Sequence, residues 1–187
     1  KINIKNKKSY YSILITGNTG SGKSYIVNKY ASFLAGKNNI LSLDMSLYND
    51  NYSIYKIIGS KDYNNSLVDF VKSKPNSVII LDNIDKCSNE VFNTIIEILK
   101  NNKVKDCNGC SVSFENVIIL MTVLKKSKVR VGFSGSDSDF LDKNLVNNVT
   151  KVLNIEDMDE FIVRNIINSK IEYYSKYYDI SITAKDN

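Results

Sequence analysis

The chain has no histidine and no tryptophan, one proline (Pro75), three cysteines, and only two arginines, Arg130 and Arg164. These shortages exclude several classes at once. Three cysteines in 187 residues do not make a disulfide scaffold. Cys107-Asn108-Gly109-Cys110 has C-x-x-C spacing, yet no second pair and no histidine completes a tetrahedral zinc site. Asn-Gly between short alternating runs signals a hairpin turn, so the thiols are read as incidental to a hairpin tip. No apolar run reaches membrane-spanning length, and the opening Lys1-Ile2-Asn3-Ile4-Lys5 lacks the apolar core of a secretion signal. The first residue is not Met, so the sequence is read as a piece of a longer protein. With so little arginine, the net charge of +5 comes from lysine. The lysines form a scattered solvated coat, not a basic stripe interleaved with aromatics, which argues against a nucleic-acid partner.

What is present suits one well-buried α/β domain with a helical extension, since 43% of residues are hydrophobic. Lys, Asn, Ile and Tyr are over-used; all have AT-rich codons, which points to an AT-rich genome and says nothing about mechanism. Short apolar runs alternate with helical patterns, the signature of a parallel sheet with helices on both faces. Buried strands are expected at Ile13–Thr16, Ile40–Leu43, Val78–Leu81 and Val117–Met121, with another near Lys151–Leu153. Asp69, Phe70 and Val71 fall in a helix ending before Pro75, and Val91, Ile95, Ile98 and Leu99 form a core-facing helical stripe. Val104–Phe114 reads as a hairpin crossing one edge, and the small, polar Ser134–Asp139 as a mobile loop. From Glu156 to about Tyr178 the pattern predicts one long amphipathic helix whose tyrosines continue its apolar face.

The strongest local signal is Gly17-Asn18-Thr19-Gly20-Ser21-Gly22-Lys23-Ser24, which fits G-x-x-x-x-G-K-[ST] between an apolar strand and a helix running from Lys23 to about Gly36. In that context the glycines let backbone N–H groups wrap a β-phosphate, aided by the helix N-terminus. Lys23 would reach the β- and γ-phosphates, and the Ser24 hydroxyl would ligate Mg²⁺. Val78-Ile79-Ile80-Leu81-Asp82 supplies the second nucleotide element, an apolar strand ending in an acid that would accept from Mg²⁺-bound water. Many P-loop ATPases place a Glu next to orient and deprotonate the attacking water; here the residue is Asn83. An amide can hydrogen-bond water but has no useful basicity. Asp85, two positions on, is a weak substitute because its side chain leaves the start of a helix in another direction.

From Ile13 to about Thr122 the chain resembles the second ATPase module of the ClpA/ClpB/ClpC unfoldases, AAA+ ring chaperones. The matching blocks are ILITGNTGSGKS, LDMSLYNDNYSIYKIIG, KPNSVIILDNIDK, VFNTIIEILKNNKVKD and FENVIILMT, in order and at agreeing spacing. The resemblance implies a P-loop AAA+ core with a parallel five-stranded sheet flanked by helices. Residues 1–153 would form the large nucleotide-binding subdomain, and 154–187 the start of the C-terminal helical small domain. It also implies ATP and Mg²⁺ as ligands. The implied partners are other Clp ATPase subunits in a homo- or hetero-hexamer, unfolded protein as substrate, and a ClpP-type protease ring. Val131-Gly132-Phe133 matches the apolar hook that docks protease-partnered members onto ClpP, and ClpC-type proteins resemble this triplet most closely. A Phe beside Gly on a polar loop is also an exposed anchor in its own right.

Departures from the family pattern bear on catalysis. The family's base Glu aligns with Asn83, its sensor Asn with Leu124, and its arginine finger with Asn148. The pore loop is shortened to Ser60–Ser66, in which only Tyr63 could grip substrate. The expectation is therefore a ClpC-like module that binds Mg·ATP with weak or lost hydrolysis, in a plastid (apicoplast) stroma or otherwise the cytoplasm. Two rivals stand beside it: a fully active ATP-hydrolysing unfoldase, and a P-loop protein acting on nucleic acid.

Overall fold

The computed structural model describes residues 11–61, 65–124 and 143–180. By its internal contacts the chain divides into two compact units, Lys1–Ile155 and Glu156–Asn187. The first is built on five parallel strands: β1 (Tyr11–Gly17), β2 (Ile40–Asp44), β3 (Val78–Asp82), β6 (Ile118–Leu124) and β7 (Lys151–Asn154), in the order β2-β3-β6-β1-β7. Because successive side chains point to opposite faces, an all-parallel sheet covered on both sides needs apolar residues at nearly every position. Leu14, Ile79, Leu81, Ile119, Met121 and Val123 enter one core. Ile13, Ile15, Val78, Ile80 and Leu120 enter the other.

The two faces are covered unequally. The smaller core lies under α1 (Lys23–Leu34), which contributes Val27 and Ala31. The larger takes side chains from α2 (Ser53–Ile58), α3 (Leu67–Ser73), α4 (Asn89–Asn101) and α5 (Lys143–Asn148). Helix α3 starts with a capping box: the Ser66 hydroxyl accepts from Asp69 N–H while the Asp69 carboxylate accepts from Ser66 N–H. It ends ahead of Pro75. Helix α4 carries its stripe Val91, Ile95, Ile98 and Leu99 fully into the core.

A short hairpin, β4 (Lys103–Lys105) and β5 (Ser111–Ser113), forms a separate two-stranded sheet. It contacts α4 and α3 instead of crossing a sheet edge, because Val104, Val112 and Phe114 belong to the larger core. Its connection is a three-residue loop. Asp106 N–H donates to Cys110 O, Gly109 N–H donates to Asp106 O, and Gly109 takes φ +79°, a turn followed by a left-handed residue. Asp106 braces this loop from inside: its Oδ1 accepts from Asn108 N–H at 2.9 Å and Cys110 N–H at 2.8 Å, and its Oδ2 receives the Lys72 ammonium at 2.6 Å.

Two boundaries differ from the sequence reading. Strand β6 begins at Ile118, not Val117, and runs on through Leu124, so the residue expected after the strand lies at its end. In the second unit, α6 spans Glu160–Tyr178 instead of starting at Glu156. Asp159 stops it earlier by capping: its Oδ1 accepts from Ile162 N–H at 2.7 Å. Along α6, Tyr173 stacks with Tyr177 and Tyr174 with Tyr178, so the tyrosines contact one another. The expected loop Ser134–Asp139 lies outside the described residues.

The brace on the hairpin makes stability depend on acid. Lys72 above all, then the Cys110 and Asn108 N–H groups, hold the Asp106 carboxyl below its ordinary range. A carboxyl lowered on folding contributes stability that is complete above its unfolded value, about pH 3.9, and is lost as pH falls through the folded value. Lys72→Met should therefore flatten the pH dependence of unfolding below about pH 4, as measured by urea denaturation at stepped pH.

Candidate functional site

The C-terminal ends of β1, β3 and β6 converge where strand order reverses around β1, the position at which open α/β sheets leave a crevice. The loop from β1 into α1 fills one side. Gly17 has no room for a side chain: a Cβ there would lie 2.7 Å from Ile155 O and 2.9 Å from Ser21 Oγ. Gly20 and Gly22 take φ of +80° and +83°, the turn geometry that aims consecutive N–H groups inward. Helix α1 then begins at Lys23 with Gly22 as its cap residue and no side-chain capping bond. An uncapped first turn of this kind is the arrangement by which a helix N-terminus receives an anion.

Lys23 is 7% exposed, and its ammonium is folded into the loop. It donates to Gly17 O at 2.9 Å and Asn18 O at 2.6 Å, with Ser21 Oγ at 3.5 Å. Holding a cation out of water on carbonyl oxygens is costly, and a bound anion offsets that cost. Ser24, one residue on, donates its hydroxyl to Asp82 Oδ2 at 2.8 Å. The motif residues from β1–α1 and from β3 are therefore brought to one point.

Sequence reasoning missed the third member of this group. Thr122, fully buried on β6, donates its hydroxyl to Asp82 Oδ1 and accepts from Asn83 N–H at 2.9 Å. Asn83 itself takes φ 58°, ψ 50°, a left-handed conformation that Asn tolerates better than most residues. Its amide Nδ2 donates to Asp44 Oδ1 at 3.3 Å. Asp44 is held below the ordinary carboxylate range, first by the Ser46 hydroxyl and N–H, then by Asn83 and Lys86. The register pairs Asp44 with Asp82 across β2 and β3, which sets this contact. A threonine inside an apolar strand carries no sequence signal of its own; only the parallel register of β3 and β6 reveals its partner.

A cavity of about 320 Å³ opens here, lined by Thr19, Gly20, Gly22, Lys23, Ser24, Tyr25, Asn83 and Leu124. That is at the small end of ligand-pocket sizes. Asp85, the weak substitute for a base, is exposed on a short 3₁₀ turn and does not line it. Asn148 sits at the end of α5, its amide donating to Asn144 O at 2.6 Å. Tyr63 and the triplet Val131, Gly132 and Phe133 lie outside the described residues. No group of three or more potential metal-binding Cys, Asp or Glu side chains occurs among the described residues. The Ser24 hydroxyl and Asp82, in contact at 2.8 Å, could together hold a divalent ion completed by phosphate oxygens and water.

Residues 8–156 match the model of the AAA domain (Cdc48 subfamily). The chain belongs to this family. It is 29% identical over 182 residues to the ATP-dependent Clp protease ATP-binding subunit ClpA homolog of Cyanidium caldarium, covering 93% of this chain and 20% of that protein. To the chloroplastic chaperone protein ClpC of Pisum sativum it is 28% identical over 182 residues, covering 90% of this chain and 19% of the relative. The AAA domain thus spans about a fifth of these curated relatives. Its fold is shared by Hsp104 in a closed-state cryo-EM reconstruction with ATPyS and FITC casein, with a TM-score of 0.75 at 19% identity, covering 91% of this chain and 33% of that one. The chain is thus similar to Clp ATPase subunits over most of its length, and its family implies ATP binding, typically with Mg²⁺. No helix among the described residues is long and apolar enough to cross a membrane.

The Thr122 clamp is testable separately from the loop. Thr122→Val should leave metal-free nucleotide binding unchanged and reduce the additional affinity conferred by Mg²⁺ about 10- to 100-fold, the weight of one hydrogen bond to a charged group. Thr122→Ser should restore it. Calorimetric titration of nucleotide with Mg²⁺ and with EDTA measures both.

Proposed function

We propose that this chain is the second ATPase module of a ClpC-like chaperone, that it holds Mg·ATP between the Gly17–Ser24 loop and Asp82, and that its own hydrolysis is weak or lost. The observation that carries this reading is the make-up of one cavity, with Lys23 and Ser24 on one wall and Asn83 and Leu124 among its other lining residues. The first wall supplies a buried ammonium, the N-terminus of α1 and a hydroxyl, the groups by which a triphosphate is gripped. Bound Mg²⁺ would neutralise phosphate charge there. Opposite, hydrolysis needs a base and a polar contact to the reacting water, and the chain offers an amide and an isobutyl group.

The missing contributions are large. A positioned base is worth about 10²–10⁴ in rate, and an amide has no proton affinity to replace it. With its Nδ2 engaged by Asp44, Asn83 keeps a carbonyl oxygen that can orient a water but not deprotonate it. An arginine finger contributes about 10³–10⁵, and the Asn148 amide, tied to Asn144 within its own helix, supplies no charge. These losses bear on turnover and leave binding intact.

The role that follows is a nucleotide-stabilised ring subunit. It would assemble with other Clp ATPase subunits in a homo- or hetero-hexamer, contribute Tyr63 to the substrate path of an unfolded protein, and dock a ClpP-type protease ring through Val131-Gly132-Phe133. In such a module 154–187 begins the small C-terminal domain. The AT-rich codon usage together with the chloroplastic relative favours a plastid (apicoplast) stroma.

Two measurements test this. ATP and ADP in Mg²⁺ should bind in a calorimetric titration and fail to bind Lys23→Ala. Single-turnover hydrolysis should then be no faster than in that variant, whereas clear turnover abolished by Lys23→Ala would establish an active unfoldase. Separately, Phe133→Ala should weaken association with a ClpP-type ring at unchanged ATP affinity. Unaltered protease binding would remove the docking role.

A further inference from the structure

Cys107 and Cys110 are both exposed free thiols at the tip of the β4–β5 hairpin, while the third cysteine, Cys87, is half-buried. Several observations set the pair apart from incidental surface cysteines. The chain reverses between the two cysteines: Asp106 N–H donates to Cys110 O at 2.9 Å, so Cys110 returns beside the residue that directly precedes Cys107, and a disulfide asks for Cα atoms roughly 4.4–6.8 Å apart. The turn is held in place, because Asp106 Oδ1 takes both the Asn108 and Cys110 N–H groups. Lys72 fixes the same carboxylate from the other side, bound to Asp106 Oδ2 at 2.6 Å. The tip is also attached to its surroundings. Cys107 N–H donates to Ile58 O at 3.1 Å, and Cys107 Sγ would stand 3.7 Å from a Cβ at Gly59. That glycine ends α2, where the segment leading to α3 departs.

We propose that Cys107 and Cys110 form a reversible dithiol–disulfide site whose state is transmitted to the end of α2 at Ile58–Gly59. The oxidant class is a low-molecular-weight disulfide such as oxidised glutathione. The thiolate of one cysteine attacks it, forming a mixed disulfide and expelling one small thiolate. The second cysteine then attacks the protein sulfur of that mixed disulfide, forming the Cys107–Cys110 bond and expelling the other. Two protein thiols lose two electrons and two protons, and two small thiols gain them. Joining Cys110 strains the Cys107 backbone, whose N–H is bonded to Ile58 O at 3.1 Å, and this couples the redox state to that junction. Cys87 takes no part: burial pushes its thiol up to about 11, and its Sγ is turned to Ile84 O at 3.2 Å.

The 187-residue chain carrying Cys87→Ser is equilibrated with oxidised glutathione, then examined by intact-mass and peptide mass spectrometry. Loss of two hydrogens, mapped to a Cys107–Cys110 peptide and reversed by dithiothreitol, is the expected result. Cys107→Ser and Cys110→Ser should each instead retain one glutathione adduct. Stable double glutathionylation, no reaction, or only intermolecular dimers would overturn the disulfide site. Amide hydrogen exchange on the reduced and oxidised forms reads the coupling. Faster exchange at residues 58–61 on oxidation, several-fold and absent in Cys110→Ser, is expected. An unchanged rate alongside a formed disulfide would refute the link to α2.

Discussion

The carboxylate of Asp82 holds the site together. It accepts one hydroxyl from Ser24, at the start of the helix after the glycine loop, and another from Thr122, in the strand beside its own. Three chain segments far apart in sequence are thereby fixed about one acid. Thr122 carries the constraint further, because the same oxygen that donates to Asp82 receives the Asn83 N–H. The position of the loop, Asp82 and the residue after it are therefore not independent. Disturbing the threonine should be felt at all three, although it belongs to no sequence motif itself.

The sheet makes such a convergence possible. Parallel strands buried on both faces end together, and their short-range register is set by hydrogen bonds that run the length of the sheet. The larger core on one face includes Phe114, Met45 and the α4 stripe; the smaller, on the other, is closed chiefly by α1. The helix bearing the phosphate-binding residues thus packs through few apolar side chains, and its exposed face includes Tyr25, Ile26 and Phe33.

Much of this was legible in the residues. Buried parallel strands read as continuous apolar runs, so β1, β3 and β6 were found with boundaries shifted by no more than a few positions. Strands β2 and β7 were found too, but β2 is only half-buried and β7 is exposed throughout, because they are the edges of the sheet. The glycine loop, Lys23, Ser24 and Asp82 stand out in the sequence because they form a recognisable motif pair, and the fold brings Ser24 and Asp82 into contact. Thr122 was invisible because β-branched polar residues are ordinary in strands and its partner lies forty positions away. The Asp44–Asn83 contact was hidden for the same reason, since it exists only across a strand register. The hairpin was recognised from Asn-Gly, but its packing against α3 and α4 was not, because two valines and a phenylalanine in short strands do not indicate which layer they enter. Asp159 ended the run-in to α6 by a local capping bond that periodicity alone does not weigh.

The main chain at Asn83 has a consequence for what can replace it. Its torsions, φ 58° and ψ 50°, suit asparagine and disfavour a longer unbranched side chain by about 1 kcal/mol. Exchange of the amide for glutamate would therefore carry a backbone cost before any change in chemistry, whereas aspartate, which tolerates the same torsions, would be accepted by the polypeptide.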